Sequence, residues 1–171
     1  MKRLTFLGTL AGAVAALLAG GALATGSSTP GAGACNANNF AAHMREIKGS
    51  AGAGSFSYRL SLTNTGSKPC KLGDHAGLQL EKADGTNLPT HVHNAGTAGT
   101  ITVAAGATAK AELRFSPDIP GPGEPKHGPC EPRASLAVVT LATPGTGSTV
   151  AQVRPKTSVC SHGSIQEKPL H

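Results

Sequence analysis

Between Phe56 and Thr63 the chain alternates with a period of two. Phe56, Tyr58, Leu60 and Leu62 are apolar, and Ser57, Arg59, Ser61 and Thr63 are polar. Successive side chains of an extended strand point to opposite faces, so the pattern is a strand with one buried face and one wet face. Asn64-Thr65-Gly66 ends it with a turn signal, and Cys70 follows six residues after Asn64. A half-buried strand needs other strands to cover it, and a nearby cysteine offers a covalent tie.

The rest of the chain supplies those strands. Extended runs are expected over 44–47, 78–82, 88–93, 100–103, 107–115, 135–141, 149–153 and 164–168, which makes about nine with Phe56–Thr63. Asp84-Gly85 predicts a hairpin between Leu78–Lys82 and Leu88–His93, and Pro89 marks the returning arm as an edge or a bulge. Residues 135–141 are apolar nearly throughout and read as a central strand covered on both faces. Ser116 to Pro132 holds six prolines and three glycines and is expected to be an irregular surface loop. No segment has a convincing helical period, and there is no internal repeat. The expected fold class is all-β: an antiparallel β-sandwich, immunoglobulin- or fibronectin-like, with two disulfides. A barrel is the alternative.

The first residues read as a leader. Lys2 and Arg3 precede an uncharged run from Leu4 to Leu23, and Ala22-Leu23-Ala24 matches a small-residue cleavage site. The expected organisation is a signal peptide over 1–24, a flexible spacer over 25–34 and one domain over 35–171. A retained membrane anchor is the competing reading of the leader. Lipidation at Cys35 is disfavoured, because Ala32-Gly33-Ala34 before it lacks the usual leucine. Cleavage would leave a chain starting at Thr25, with 13 basic and 9 acidic residues and a formal charge of +4. These charges are scattered along the sequence, with no run of three. They favour solubility and weak attraction to anionic surfaces, with no nucleic acid and no membrane as partner.

Only Phe40, Phe56, Tyr58 and Phe115 of the exported part are aromatic, so the core is thin and calls for covalent help. Cys35, Cys70, Cys130 and Cys160 are four cysteines in an exported chain, which reads as two disulfides. Three connectivities are open. Cys35–Cys70 with Cys130–Cys160 is preferred, since each pair brackets adjacent strands. Each loop would then stabilise the fold by about 3–4 kcal/mol in the chain-entropy picture.

Several residues together carry a resemblance. An N-terminal Cys35 is followed by the glycine-rich Gly52 to Gly54, then Leu60 to Cys70, Leu72, Asp84-Gly85, and the late Cys130 and Cys160. This pattern resembles the secreted actinobacterial domain-of-unknown-function family 4232, over essentially the whole exported part. Members often carry Gly-Tyr-Pro-Gly after the second cysteine, where this chain has Gly73-Asp74-His75-Ala76-Gly77. The resemblance implies export and a β domain and leaves the activity open.

Catalytic motifs are missing from the sequence. There is no G-x-S-x-G elbow, no H-E-x-x-H and no aromatic sugar platform. The chain reads as a non-enzyme without a cofactor. The expected function is a secreted or cell-envelope binding or structural module that holds an unknown protein or envelope component on a sheet edge or the proline-rich loop. Histidine is the unusual residue: His43, His75, His91, His93, His127, His162 and His171. His91 and His93 share one strand face and could meet one metal ion, with His75 or His127 as a third ligand, so metal handling is the alternative. Exposed polar positions on an edge strand explain the same pair without any ion.

Overall fold

The computed structural model describes residues 31–171. The expected signal peptide and the first part of the spacer lie outside the described residues. Among the described residues, eleven strands run in the order β1 (Gly33–Ala34), β2 (Phe40–Glu46), β3 (Phe56–Asn64), β4 (Cys70–Gly73), β5 (Gly77–Glu81), β6 (His91–Asn94), β7 (Thr100–Val103), β8 (Thr108–Phe115), β9 (Ala134–Thr140), β10 (Ser148–Thr157) and β11 (Ser164–Glu167). Among the described residues, helix is confined to a 3-10 turn at Ala37–Asn39 and a tight turn at Cys160–Gly163.

Two sheets result. Eight strands form one sheet in the order β5-β9-β10-β2-β3-β8-β11-β6, and β1-β4-β7 form the other. Six of the nine strand pairings are antiparallel, as in the expected sandwich. The parallel ones are β1 with β4, β10 with β2 and β11 with β6. The two ends of the large sheet approach each other through the side chains of Gln79 and Thr90, which makes it nearly closed and barrel-like. Thr90 Oγ1 accepts a hydrogen bond from Leu80 N at 3.0 Å, and Gln79 Nε2 donates to Leu88 O at 2.7 Å.

Alternation places the core. On β3, Tyr58, Leu60, Leu62 and Asn64 are buried while Arg59, Ser61 and Thr63 are not. On β8 the buried set is Ala109, Ala111, Leu113 and Phe115. Leu72 of β4 and Val103 of β7 bring the small sheet into the same core. Tyr58 and Phe115 pack with ring centroids 5.1 Å apart, an aromatic pair in a core built largely from Ala, Leu and Val. Both disulfides are present with the preferred pairing, at Cα separations of 4.9 Å for Cys35–Cys70 and 5.5 Å for Cys130–Cys160.

Four local expectations change. The Asp84-Gly85 turn forms, with Lys82 N bonded to Thr86 O at 2.9 Å, but the returning arm does not stay beside β5. Leu88 N reaches Leu80 O, Pro89 has no N–H to give, and the Thr90 hydroxyl takes the next bond. The chain then leaves to pair in parallel with β11. Residues Gly33–Ala34, expected in the spacer, form β1 against Cys70–Lys71 beside the first disulfide. Strand β4 follows Cys70 directly, in a stretch too short to show a period. Finally, β9 is not covered on both faces: Ala137 and Val139 are buried, while Leu136 and Val138 are half-buried.

Candidate functional site

His91 and His93 lie on β6, the last strand of the large sheet, and both are exposed on one face. Their neighbours across the ladder are Ser164 and Gln166. His75 does not join them. It is buried, with Nδ1 2.9 Å from Asp74 Oδ1 and Nε2 3.0 Å from Ala95 O, so both ring nitrogens are engaged. His127 is exposed in the proline-rich loop. Among the described residues, the groups of three potential ligand atoms within 4.8 Å of one another are Glu124/Cys130/Cys160 and Glu124/Glu131/His162. Neither contains His91 or His93, and the cysteines of the first are bonded to each other.

The second group has a structural explanation. Ser161 and His162 both have φ of 55°, a left-handed conformation that points successive backbone N–H groups to one side. Glu124 fills that concavity. Its Oε2 accepts from Ser161 N at 2.8 Å and Gly121 N at 2.5 Å, and its Oε1 accepts from His162 N at 2.5 Å. Burial by itself would push this carboxyl up, but the three N–H donors and the His162 ring hold it below its ordinary range. With its oxygens already engaged, Glu124 is a clasp on the proline-rich loop beside Cys130–Cys160. The same turn requires glycine at 163, where a Cβ would sit 1.9 Å from Pro89 O.

A more unusual carboxyl lies on β11. Glu167 is fully buried. Its Oε1 accepts from Ala76 N at 3.0 Å, and its Oε2 has no hydrogen-bond partner. Desolvation raises it to about 7, against the pull of the Ala76 N–H and of His75; nearby Asp74 adds to the rise. Asp74 also accepts from Gly99 N at 2.8 Å, and its carbonyl takes Leu170 N at 2.6 Å. Asp74, His75 and Glu167 thus lock the 73–77 turn to β7 and to the end of the chain. The group looks like acid–base machinery, yet its imidazole is fully engaged and its free carboxyl oxygen is sealed from solvent.

The open chemistry is on the outside of the large sheet. Registry places Arg154 of β10 beside Arg45 of β2, and Arg45 opposite Arg59 of β3. All three are exposed and share one face. Like charges directly opposite destabilise a sheet, so an uncompensated row has an electrostatic cost that an anion would remove. Glu112 comes next across the row from Arg59, but its carboxylate is taken by Lys168 Nζ at 2.7 Å and Ser57 Oγ at 2.7 Å. These two hydrogen bonds hold its carboxyl below the usual range. The adjacent row is Gln152, His43, Ser61 and Lys110. Arg114 lies on the same side of β8, its guanidinium donating to Ser55 Oγ at 2.7 and 2.9 Å. Across five neighbouring strands this face carries Arg45, Arg59, Lys110, Arg114, Arg154 and Lys168 against one outward carboxylate, Glu112. A groove of about 420 Å³ lies in the face between β10 and β2, lined by His43, Arg45, Gln152 and Arg154 among others. Gln152 Oε1 accepts from Arg154 Nε at 3.0 Å and from Arg154 Nη2, which orients the guanidinium.

Sequence reasoning missed these residues. The arginines lie 14 and 95 residues apart and become neighbours only through strand pairing, one step of it parallel. Glu167 was within reach, because it follows Ile165 by two in an expected strand and so shares its buried face.

Fold and disulfides define a class: a small disulfide-tied β domain with a basic sheet face. The family model for a domain of unknown function, DUF4232, matches residues 35–171, and the chain belongs to that family. No curated protein and no solved structure matches the chain.

Proposed function

We propose that the chain is an exported, non-catalytic binding module of the cell envelope or its surroundings, holding an acidic partner on the outward face of β10, β2, β3 and β8. The observation that carries this reading is the row Arg154–Arg45–Arg59, exposed on adjacent strands, with Glu112, the carboxylate next in the ladder, already engaged. Export is supported by the leader expected at 1–24 and by two disulfides, which persist in oxidising compartments. Among the described residues, no helix is long and apolar enough to cross a membrane. A non-catalytic role is supported by Asp74 and His75, whose polar groups are engaged internally, and by Glu167, whose free oxygen is sealed from solvent. The proline-rich loop is clasped by Glu124, which favours the sheet face over the loop as the contact surface.

The test compares the protein with R45Q/R59Q/R154Q for retention on envelope fragments of the producing cells under rising salt. Retention of the unaltered protein and early release of the variant, with equal melting temperatures, support the reading. Equal retention of both contradicts it.

A further inference from the structure

The spacing of the arginine row and the groove beside it narrow the kind of acidic partner, on the reading that this face is the contact surface. We infer that the face takes a linear phosphate polymer without bases, laid across β10, β2 and β3 with phosphates along its length on Arg154, Arg45 and Arg59. Neighbouring strands stand about 4.8 Å apart, so the three arginine Cα atoms span about 10 Å. The partner must therefore present negative charges close together along a line. In an extended polypeptide, carboxylates on one side recur only every ~6.7 Å, a poorer match to the row. A flexible phosphate chain brings successive charges closer. Each guanidinium offers paired N–H donors that fit two oxygens of one phosphate.

Other phosphate carriers fit less well. A lipid surface is flat, whereas Arg45 and Arg154 line a groove in the sheet face. Membrane docking also uses apolar or aromatic groups that insert. Among the described residues, the exposed large hydrophobic side chains are Val150, at the groove, and Ile119, on the proline-rich loop. A single-stranded nucleic acid needs aromatic platforms for its bases. Phe40, Tyr58 and Phe115 are buried in the core instead, and Phe56 is half-buried.

The experiment measures binding of the disulfide-bonded protein to fluorescently labelled long-chain polyphosphate by anisotropy. Poly-glutamate, oligo-deoxythymidine, phosphatidylglycerol vesicles and orthophosphate are the competitors. Polyphosphate should bind more tightly than each competitor. Each single arginine-to-glutamine change should weaken binding about fivefold, and R45Q/R59Q/R154Q on the order of a hundredfold. K68Q/K71Q/K126Q removes the same net charge from elsewhere and should change binding by no more than about twofold. Equal loss in that control would overturn the inference, as would tighter binding of poly-glutamate, oligo-deoxythymidine or vesicles. Competition by orthophosphate at the same phosphate concentration would also overturn it. If no polymer binds while R45Q/R59Q/R154Q still releases the protein from envelope fragments, this inference fails and the reading it rests on stands.

Discussion

Replacing Glu167 with Gln should make the protein more stable in alkali than in acid, relative to the unaltered chain. The folded carboxyl holds its proton up to about 7, against an ordinary value of 4.5. Below about 4.5 both folded and unfolded states are protonated, and the group leaves stability at its maximum. Between 4.5 and about 7 the unfolded chain gives up the proton while the folded one keeps it. Stability then falls by about 1.4 kcal/mol per pH unit. Above about 7 both states are ionised, and the loss reaches about 3 kcal/mol. A Gln at 167 does not titrate, and its Oε1 can still accept from Ala76 N. Its amide N–H groups inherit the unpartnered position of Oε2, at a fixed cost of about 1–3 kcal/mol that does not depend on pH. The decisive quantity is therefore the change with pH of the stability difference between variant and parent. Urea unfolding at about pH 4 and about pH 8 measures it through midpoints at constant slope. The variant should gain about 3 kcal/mol on the parent between the two. A difference that is the same at both pH values would refute the placement of Glu167 as a buried, neutral acid.

Three further outcomes follow from the packing. Leu62→Asp should abolish folding, since Leu62 is fully buried, whereas Thr63→Asp should cost about 1 kcal/mol through the lost hydroxyl contact to Thr108; thermal melts compare them. Glu124→Gln leaves one acceptor oxygen for three backbone donors and should destabilise by about 2–3 kcal/mol. Because its carboxyl is held below 4.5, that difference is fully present above about pH 4.5 and shrinks as acid protonates the folded carboxylate, which urea titrations across that range would follow. Calorimetric titration of the tag-free protein with copper or zinc should show only modest affinity that His91→Ala barely changes, because two imidazoles on an exposed edge lack a third donor; stoichiometric submicromolar binding lost in His91→Ala and His93→Ala would restore metal handling.

Much of the fold was legible in the residues because one face of each long strand is buried. The period of two in Phe56–Thr63 and in Ala107–Phe115 directly places Leu60, Leu62, Ala111 and Leu113 in the core. Cysteine number and spacing were enough to prefer the observed pairing. Strand partners were not legible. Nothing local to Ser148–Thr157 says that it lies parallel to Phe40–Glu46, because that pairing is decided by the whole sheet. The arginine row depends on that pairing and stayed hidden with it. The Asp74–His75 lock was hidden for another reason. Its meaning depends on Glu167, more than ninety residues away. Asn64 read as a plain turn residue, yet it is buried and donates to Lys68 O and Val103 O at 2.9 and 3.1 Å.

The most direct measurement of the claim that the outer sheet face is the binding surface is a residue-resolved titration. Amide and arginine side-chain NMR shifts would be followed as long-chain polyphosphate is added to the isotope-labelled, disulfide-bonded protein. The account predicts that the largest changes fall on Arg45, Arg59 and Arg154, with His43 and Gln152 beside the groove, and that salt reverses them together. Changes centred on His91 and His93 or on the proline-rich loop, or spread evenly over Lys68, Lys71 and Lys126, would contradict it.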